Sequence, residues 1–373
     1  MVISWDAVST AGLALCLVAA AWNAGTIIAA VAQPLKWRHA AVPRILPSVS
    51  VIVPVSGNAP ALTACAESLG RLTYPCHEVM LCASEDDAEA ALAIQAVLKL
   101  VPHMRGCIVT PIAISNPKAA LVAAALPLAK HDLILLSDDN VVSSPERIQT
   151  HLAYRGAGYG LVSACVVGDE FASFWAAVDG AFMNGHFARL QRAGDAVGLS
   201  FSTGKSILVS RMALALSGGY KAAGETICED AIVQHNLLAI GESVTLSHEV
   251  QRQPIGQRRA AEVWHRHLRW ARCRRRHAPL LFALEAATSG PITALAAAIA
   301  GSAIGLPFAC GTAGALLLLS MEWGFLVFVG WPQSRWYPAV WVTRELVALA
   351  LWVTALKSSE QTLWRGRSLK LRD

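Results

Sequence analysis

Val49-Ser50-Val51-Ile52-Val53-Pro54-Val55 is a nearly unbroken apolar run that stops at Ser56-Gly57-Asn58. A β-branched run without polar alternation suits a strand buried on both faces of a parallel sheet, and the three residues after it are turn formers. Outward from this strand, residues 59–69 are helix-compatible, residues 78–83 read as a second strand, and residues 88–100 return to helix. A further strand over residues 131–136 ends in Ser137-Asp138-Asp139-Asn140, and another covers residues 160–167. Strands alternating with helices predict βαβ units and an α/β fold with a mostly parallel sheet. Ligands of such folds collect at the carboxyl ends of the strands, where the acidic clusters of this chain also fall.

The two ends of the chain differ from the middle. The composition, 54% hydrophobic and 15% charged with a mean hydropathy of +0.45, is too apolar for an ordinary soluble enzyme. Residues 7–32 carry no charge, and about 20 apolar residues cross a bilayer. Only Asp6 precedes this run, whereas Lys36, Arg38 and Arg44 follow it. A cleaved signal would carry its basic residues first, so a retained anchor with the following residues in the cytoplasm is expected. Residues 290–331 are about two spans long and predict a hairpin with its turn near Gly305, Pro307 and Gly311. Residues 338–356 form a third apolar block, in which Arg344 and Glu345 require protein or water around them. The basic tail (Arg365, Arg367, Lys370, Arg372) argues for a cytoplasmic end, while three spans after the middle domain argue the reverse. The expected organisation is an anchor over residues 1–35, a cytoplasmic catalytic domain over 46–278, and a membrane region of two to three helices over 279–373.

The net charge of +5 is modest, but nine arginines crowd residues 252–276. Their position directly before an apolar block favours a membrane surface over nucleic acid as the partner. The nine cysteines show no CxxC pair and no zinc-like spacing, so a cysteine metal centre is not expected. Residues 171–190 place Phe174, Trp175, Val178 and Phe182 at helical spacing, which fits a core-facing helix or one lying in a membrane surface.

Several side chains could carry chemistry. Asp138 and Asp139 repel each other unless a cation or a donor-rich loop compensates them, although Asp-Asp-Asn also makes ordinary turns. Mg2+ or Mn2+ shared with substrate phosphates is the expected cation. Glu229-Asp230 opens a helical stretch after Gly218, Gly219 and Gly224, and suits either a helix N-terminus or a general base. Arg266 and Arg269 stand three apart on one helix face, with Trp270 beside them, a pattern suited to diphosphate oxygens and a ring or lipid chain. Lys118, in Ser115-Asn116-Pro117-Lys118, is a further candidate phosphate contact.

Taken in order, the VIVP strand, the acidic cluster Glu85-Asp86-Asp87, the strand-terminal Asp138, the Glu229-Asp230 pair and the Arg266–Trp270 signature resemble the inverting GT-A glycosyltransferases, and among them the ceramide glucosyltransferase family. The likeness extends to Asn116-Pro117-Lys118, Thr203-Gly204, Gly218-Gly219, Arg344-Glu345 and Trp364-Arg365-Gly366-Arg367. It implies a Rossmann-like GT-A domain flanked by transmembrane helices, with Pro54, Lys118 and Asp86 or Asp87 at the nucleotide. It further implies Asp138, with Asp139, at the metal and diphosphate, and Asp230 as catalytic base. Arg266, Arg269 and Trp270 would secure the diphosphate and border the acceptor. His186 lies one residue out of register with an active-site histidine of the animal enzymes. The implied reaction moves a hexose, glucose first, from a UDP-sugar to the primary hydroxyl of ceramide; the Ala- and Arg-rich composition points to a bacterial inner membrane, and no nucleic acid and no obligatory protein partner are expected. A hopanoid acceptor receiving N-acetylglucosamine, a processive polysaccharide synthase and an inactive scaffold are the alternatives. Two departures stand out: the acidic cluster is spaced differently from the family's, and Ala120 and Leu121 replace asparagines common in relatives.

Overall fold

The computed structural model describes residues 5–37, 41–357, 361–364 and 367–370. Arg38, Arg365, Gly366 and Arg372 lie outside the described residues. The chain divides into two compact units.

The first unit comprises Ala32–Val167, Gly194–Pro254 and Glu360–Asp373. The sheet has strands β1 (Val49–Pro54), β2 (His77–Ser84), β3 (Arg105–Val109), β4 (Leu133–Ser137), β5 (Leu161–Phe171), β6 (Ser206–Ser210) and β7 (Val244–Gly256), in the order β3-β2-β1-β4-β6-β5-β7. β1 pairs in parallel with β2 and β4, and β2 in parallel with β3. The mostly parallel sheet expected is thus realised in one half only. β6 inserts between β4 and β5 and runs antiparallel to both, which makes the sheet mixed.

The burial of β1 explains its sequence. Successive side chains point to opposite faces of a strand. Val51 and Val53 enter a core with Leu62, Leu69 and Ile94, while Ile52 enters the opposite one with Met80, Ile134 and Leu136. Both faces are covered by helices, so no position on the strand is free to be polar except Ser50, whose Oγ donates to Glu78 Oε1 at 2.7 Å. β8 (Gln361–Trp364) and β9 (Arg367–Lys370) form a separate antiparallel pair.

The second unit comprises Met1–Val31, Gly168–Ala193 and Ile255–Ser359. Among the described residues, three helices are long and apolar enough to cross a membrane: Asp6–Leu35, Pro307–Phe328 and Tyr337–Leu356. A fourth apolar stretch is broken, Pro279–Ala287 and Gly290–Ser302 meeting at 50°. The expected hairpin exists, and its turn falls between Ser302 and Pro307 with Gly305 at φ +72°. Gly311 is not part of that turn. It lies inside the Pro307–Phe328 helix, where an added Cβ would come within 3.1 Å of Ala294 O, so its smallness serves helix packing. Residues 174–188 form the helix Phe174–Ala181 followed by a wide π-helical turn, Phe182–Ala188. Val178, Phe182 and Met183 are buried there, which is the core-facing arrangement.

Candidate active site

The loops after β1, β2 and β4 carry most of the acidic residues singled out from sequence. Gly57 adopts φ +63°, a conformation that costs a residue with a Cβ, and its N–H donates to Asp87 Oδ2 at 2.9 Å. Asp87 Oδ1 accepts from Ala90 N at 3.0 Å, capping the Ala88–Leu98 helix. Asp87 therefore ties the β1 loop to the β2 loop, while Asp86 is exposed and Pro54 ends β1 opposite Cys82.

Lys118 is drawn into place by a helix cap. Asn116 Oδ1 accepts from the N–H groups of Lys118 and Ala119, and its Nδ2 donates to Glu229 Oε2 at 2.9 Å. Lys118 Nζ then lies 2.7 Å from Asp138 Oδ1 and 3.6 Å from Glu229 Oε1, and donates to Gly204 O at 2.9 Å. Burial alone would lower the Lys118 pKa, but Asp138 and Glu229 outweigh it and hold the ammonium charged well above its ordinary range. Burial pushes the Glu229 carboxyl up, against the pull of Lys118. Lys205 Nζ approaches Asp138 Oδ2 at 3.6 Å and donates to Gln253 Oε1 at 2.7 Å.

Asp230 opens the Glu229–Ala239 helix, and its Oδ2 accepts from Gly204 N at 2.9 Å. Gly204 is the joint of this cluster: a Cβ there would come within 2.9 Å of Lys118 Nζ and 3.5 Å of Asp230 Cβ. Lys118, Asp138 and Asp230 are thereby brought together around one glycine. Asp139 differs from Asp138 in exposure. It is buried, and after burial itself it is the main influence pushing the Cys65 thiol up to about 12.

Lys118 and Lys205 set positive charge beside Asp138. Among the described residues, no three His, Cys, Asp or Glu side chains converge as a protein-only metal cage. Asp138, partly exposed, nevertheless fits a divalent ion that takes most of its ligands from a diphosphate and one or two from carboxylates. Glu229 and Lys205 escaped the sequence reading as members of this cluster. Glu229 was visible only as the neighbour of Asp230, and Lys205 only as the residue after Thr203-Gly204.

The remaining candidates belong to the helical unit. The helix Ala260–His277 carries Arg266, His267, Arg269 and Trp270. Arg266 Nη1 and His267 Nε2 each contact a carboxylate oxygen of Asp179 at 2.7 Å, and Arg258 Nε stands 3.7 Å away. Burial would raise the Asp179 pKa, but Arg266, His267 and Arg258 together hold its carboxyl well below the usual range. Burial in turn lowers His267 to about 4, so its ring is neutral near pH 7. The Arg266 guanidinium also lies over Trp270, 4.7 Å from the ring centroid. Arg269 is half-buried on the same helix. Much of the arginine run is thus engaged inside its unit. Arg274 pairs with Glu285 at 2.6 Å, and Arg275 donates to the carbonyls of Ala355 and Leu356. His186 sits in the wide turn, with Nε2 3.4 Å from Glu285 Oε1. Asp179, also missed from sequence, had a signal: it is a lone carboxylate in the apolar stretch Phe174–Ala181.

The chain has relatives among known proteins. Over 340 residues the chain is 24% identical to ceramide glucosyltransferase 1 of Caenorhabditis elegans, covering 87% of this chain and 72% of that protein. Ceramide glucosyltransferase 3 of the same organism is 24% identical over 247 residues, 64% of this chain and 53% of the relative. Among solved structures, the fold is similar to that of the mannosyltransferase PcManGT from Pyrobaculum calidifontis in complex with GDP-Man and Mn2+. That likeness has a TM-score of 0.56 at 18% identity and covers 92% of this chain and 98% of the other. The architecture is the GT-A one expected from sequence. Residues 16–373 match the profile of glycosyl transferase family 21. The match takes in both units, and with it the chain belongs to glycosyl transferase family 21.

Proposed function

We propose that this protein transfers a hexose, glucose in the first instance, from a UDP-sugar to the primary hydroxyl of ceramide or a similar membrane lipid, with inversion at the anomeric carbon. The observation that carries the reading is the placement of Asp230: a carboxylate at a helix start, oriented by Gly204 N–H, in one cluster with Lys118 and Asp138. In the proposed reaction Asp230 takes the proton of the lipid hydroxyl as that oxygen bonds to the sugar C1. The bond from C1 to the diphosphate oxygen breaks and UDP leaves. Proton removal by a positioned carboxylate contributes roughly 10²–10⁴-fold.

Asp138 would hold Mg2+ or Mn2+ together with the diphosphate, and the ion's chemistry when bound is to screen charge on the leaving oxygens. Lys118 and Lys205 lie against the same carboxylate and suit the same phosphates. Asp86, exposed beside the β1 loop, is assigned to the nucleotide ahead of Asp87, whose oxygens are spent on backbone N–H groups. Arg266, Arg269 and Trp270 take the roles the family resemblance gives them, at the diphosphate and the acceptor. The apolar helices would hold the protein in a bacterial inner membrane with the sugar-nucleotide site on the cytoplasmic side, where a water-insoluble acceptor arrives laterally.

The test uses the purified full-length protein with UDP-glucose and ceramide. UDP release that requires ceramide is expected, and Asp230→Asn is expected to abolish it while UDP-glucose still binds. Full turnover by Asp230→Asn would remove that residue from the mechanism. Sugar transfer to a hopanoid polyol instead of ceramide would change the acceptor, and a size ladder of products would identify a polymerase.

A further inference from the structure

The candidate anchor ends on a side chain that the sheet-bearing unit holds. The span Asp6–Leu35 has 30 residues, about 45 Å of helix against about 30 Å of hydrocarbon, so about five residues at its end lie in the headgroup layer. Gln33 is one of them. Its side chain is fully buried, and Nε2 donates to Asp195 Oδ2 and to Leu246 O, each at 3.0 Å. Asp195 is thereby fixed at the level of the headgroups, at the end of the span from which the chain enters the sheet.

From Asp195 the chain makes one tight turn that closes the Arg189–Ala196 helix. Gly194 O accepts from Leu199 N at 2.7 Å and Asp195 O from Gly198 N at 3.2 Å, with Gly198 at φ +82°. Asp195 Oδ1 accepts from Ser200 Oγ at 2.6 Å, which pins the far side of the turn. In such closures the residue after the left-handed glycine commonly packs back on the position that is Gly194 here, and Gly194 has no side chain to meet it. Leu199 is accordingly 73% exposed, and Val197, on the other flank of Gly198, is 65% exposed. A lone exposed leucine is ordinary. Two apolar side chains at the tip of a turn tied to the end of an apolar span are not, and Leu35 of that span is itself 54% exposed. Apolar side chains at headgroup level are suited to the boundary between headgroups and acyl chains.

The turn also leads directly to the candidate site. Gln234 Nε2 donates to Ser200 O at 3.0 Å, and its Oε1 accepts from Ser202 N at 2.6 Å. One turn earlier on the same helix, Asp230 Oδ2 accepts from Gly204 N. At most about 18 Å of chain separates Leu199 from Gly204.

From these contacts we infer that Val197 and Leu199 dip into the lipid–water boundary beside the anchor and hold the Gly204–Asp230 contact close to the membrane surface. The partner of this turn is the bilayer itself, continuous with the lipid around the span that Gln33 ends. The inference rests on the anchor reading above and adds a second membrane contact to it.

The test places the photoreactive residue p-benzoylphenylalanine at position 199 of the full-length protein in phosphatidylcholine vesicles. In the control the probe replaces Ile108, exposed on β3 at the opposite end of the sheet order from β7. After irradiation, mass spectrometry is expected to find about tenfold more acyl-chain adducts at position 199 than at position 108. If pulse proteolysis shows that the probe at 199 unfolds the chain, the same probe at position 197 decides. Equal or weaker labelling at the turn, or crosslinks from it to a second copy of the chain in place of lipid, overturns the inference. Alkaline carbonate washing of the same vesicles separates the two readings. A chain that stays in the bilayer without adducts at the turn refutes the turn alone. A chain that is stripped off yet carries them refutes the anchor and leaves the turn standing.

Discussion

Replacing Lys118 by methionine keeps the length of the side chain and removes its charge. Glu229, buried and 3.6 Å from the ammonium, then loses its cation, whereas Asp138 keeps Lys205 at 3.6 Å. The variant's simplest response is to protonate Glu229. With an ordinary value of 4.5, holding the proton at pH 7 costs two and a half pH units, at most about 3.4 kcal/mol. The lost hydrogen bond to Gly204 O adds about 1 kcal/mol. At pH 5 the protonation part falls to about 0.7 kcal/mol, so the deficit of Lys118→Met should shrink by up to about 2.7 kcal/mol between pH 7 and pH 5. The sign follows from the carboxyl: its raised value in the folded variant makes folding progressively less favourable as pH climbs above 4.5. Pulse proteolysis of wild type and variant in detergent at the two pH values measures the gap. A gap that is the same at both, or wider at pH 5, would refute the idea that Lys118 favours the ionised form of Glu229.

Asp179→Asn removes the carboxylate shared by Arg266, His267 and Arg258 at full burial, and breaking such a buried cluster costs about 3–5 kcal/mol. Its melting temperature should fall by several degrees, and an unchanged melt would show that the cluster contributes nothing to the fold. His151, fully buried with Nδ1 2.8 Å from Arg147 O, is held at about 3 by burial and by the Arg147 charge. Its depressed value means that stability is complete above about 6.5 and is lost as pH falls towards 3, about 2 kcal/mol by pH 5. His151→Gln should therefore flatten the decline of melting temperature between pH 6.5 and 5, and an unaltered slope would count against a neutral His151.

Three of the four parallel strands were legible because their inner residues form nearly unbroken apolar runs. β1, β2 and β4 bury both faces, and their runs match the observed spans within about two residues. β7 was not legible for the opposite reason. It buries Gln251 and Gln253 and exposes His248 and Arg252, so hydropathy carries no trace of its period. β3 opens on Arg105-Gly106 and exposes Ile108, and β6 has only Ile207-Leu208-Val209 between two serines, so neither run stands out from its surroundings. At the candidate site, the carboxylates could be read because they end strands or start helices. Their cations could not, since Lys118 meets Glu229 and Arg266 meets Asp179 across about a hundred residues of chain. Charge pairing over that distance leaves no local mark on a sequence.

The wide turn at Phe182–Ala188 has a consequence for bookkeeping between relatives. Its hydrogen bonds reach one residue further than those of an α-helix, so it takes up an extra amino acid without tilting the segments on either side. A relative with an unbroken α-helix here would be counted one residue short beyond this stretch. A histidine that looks displaced on paper can occupy the same place in space, and matching by neighbours such as Glu285 is the safer guide to equivalence.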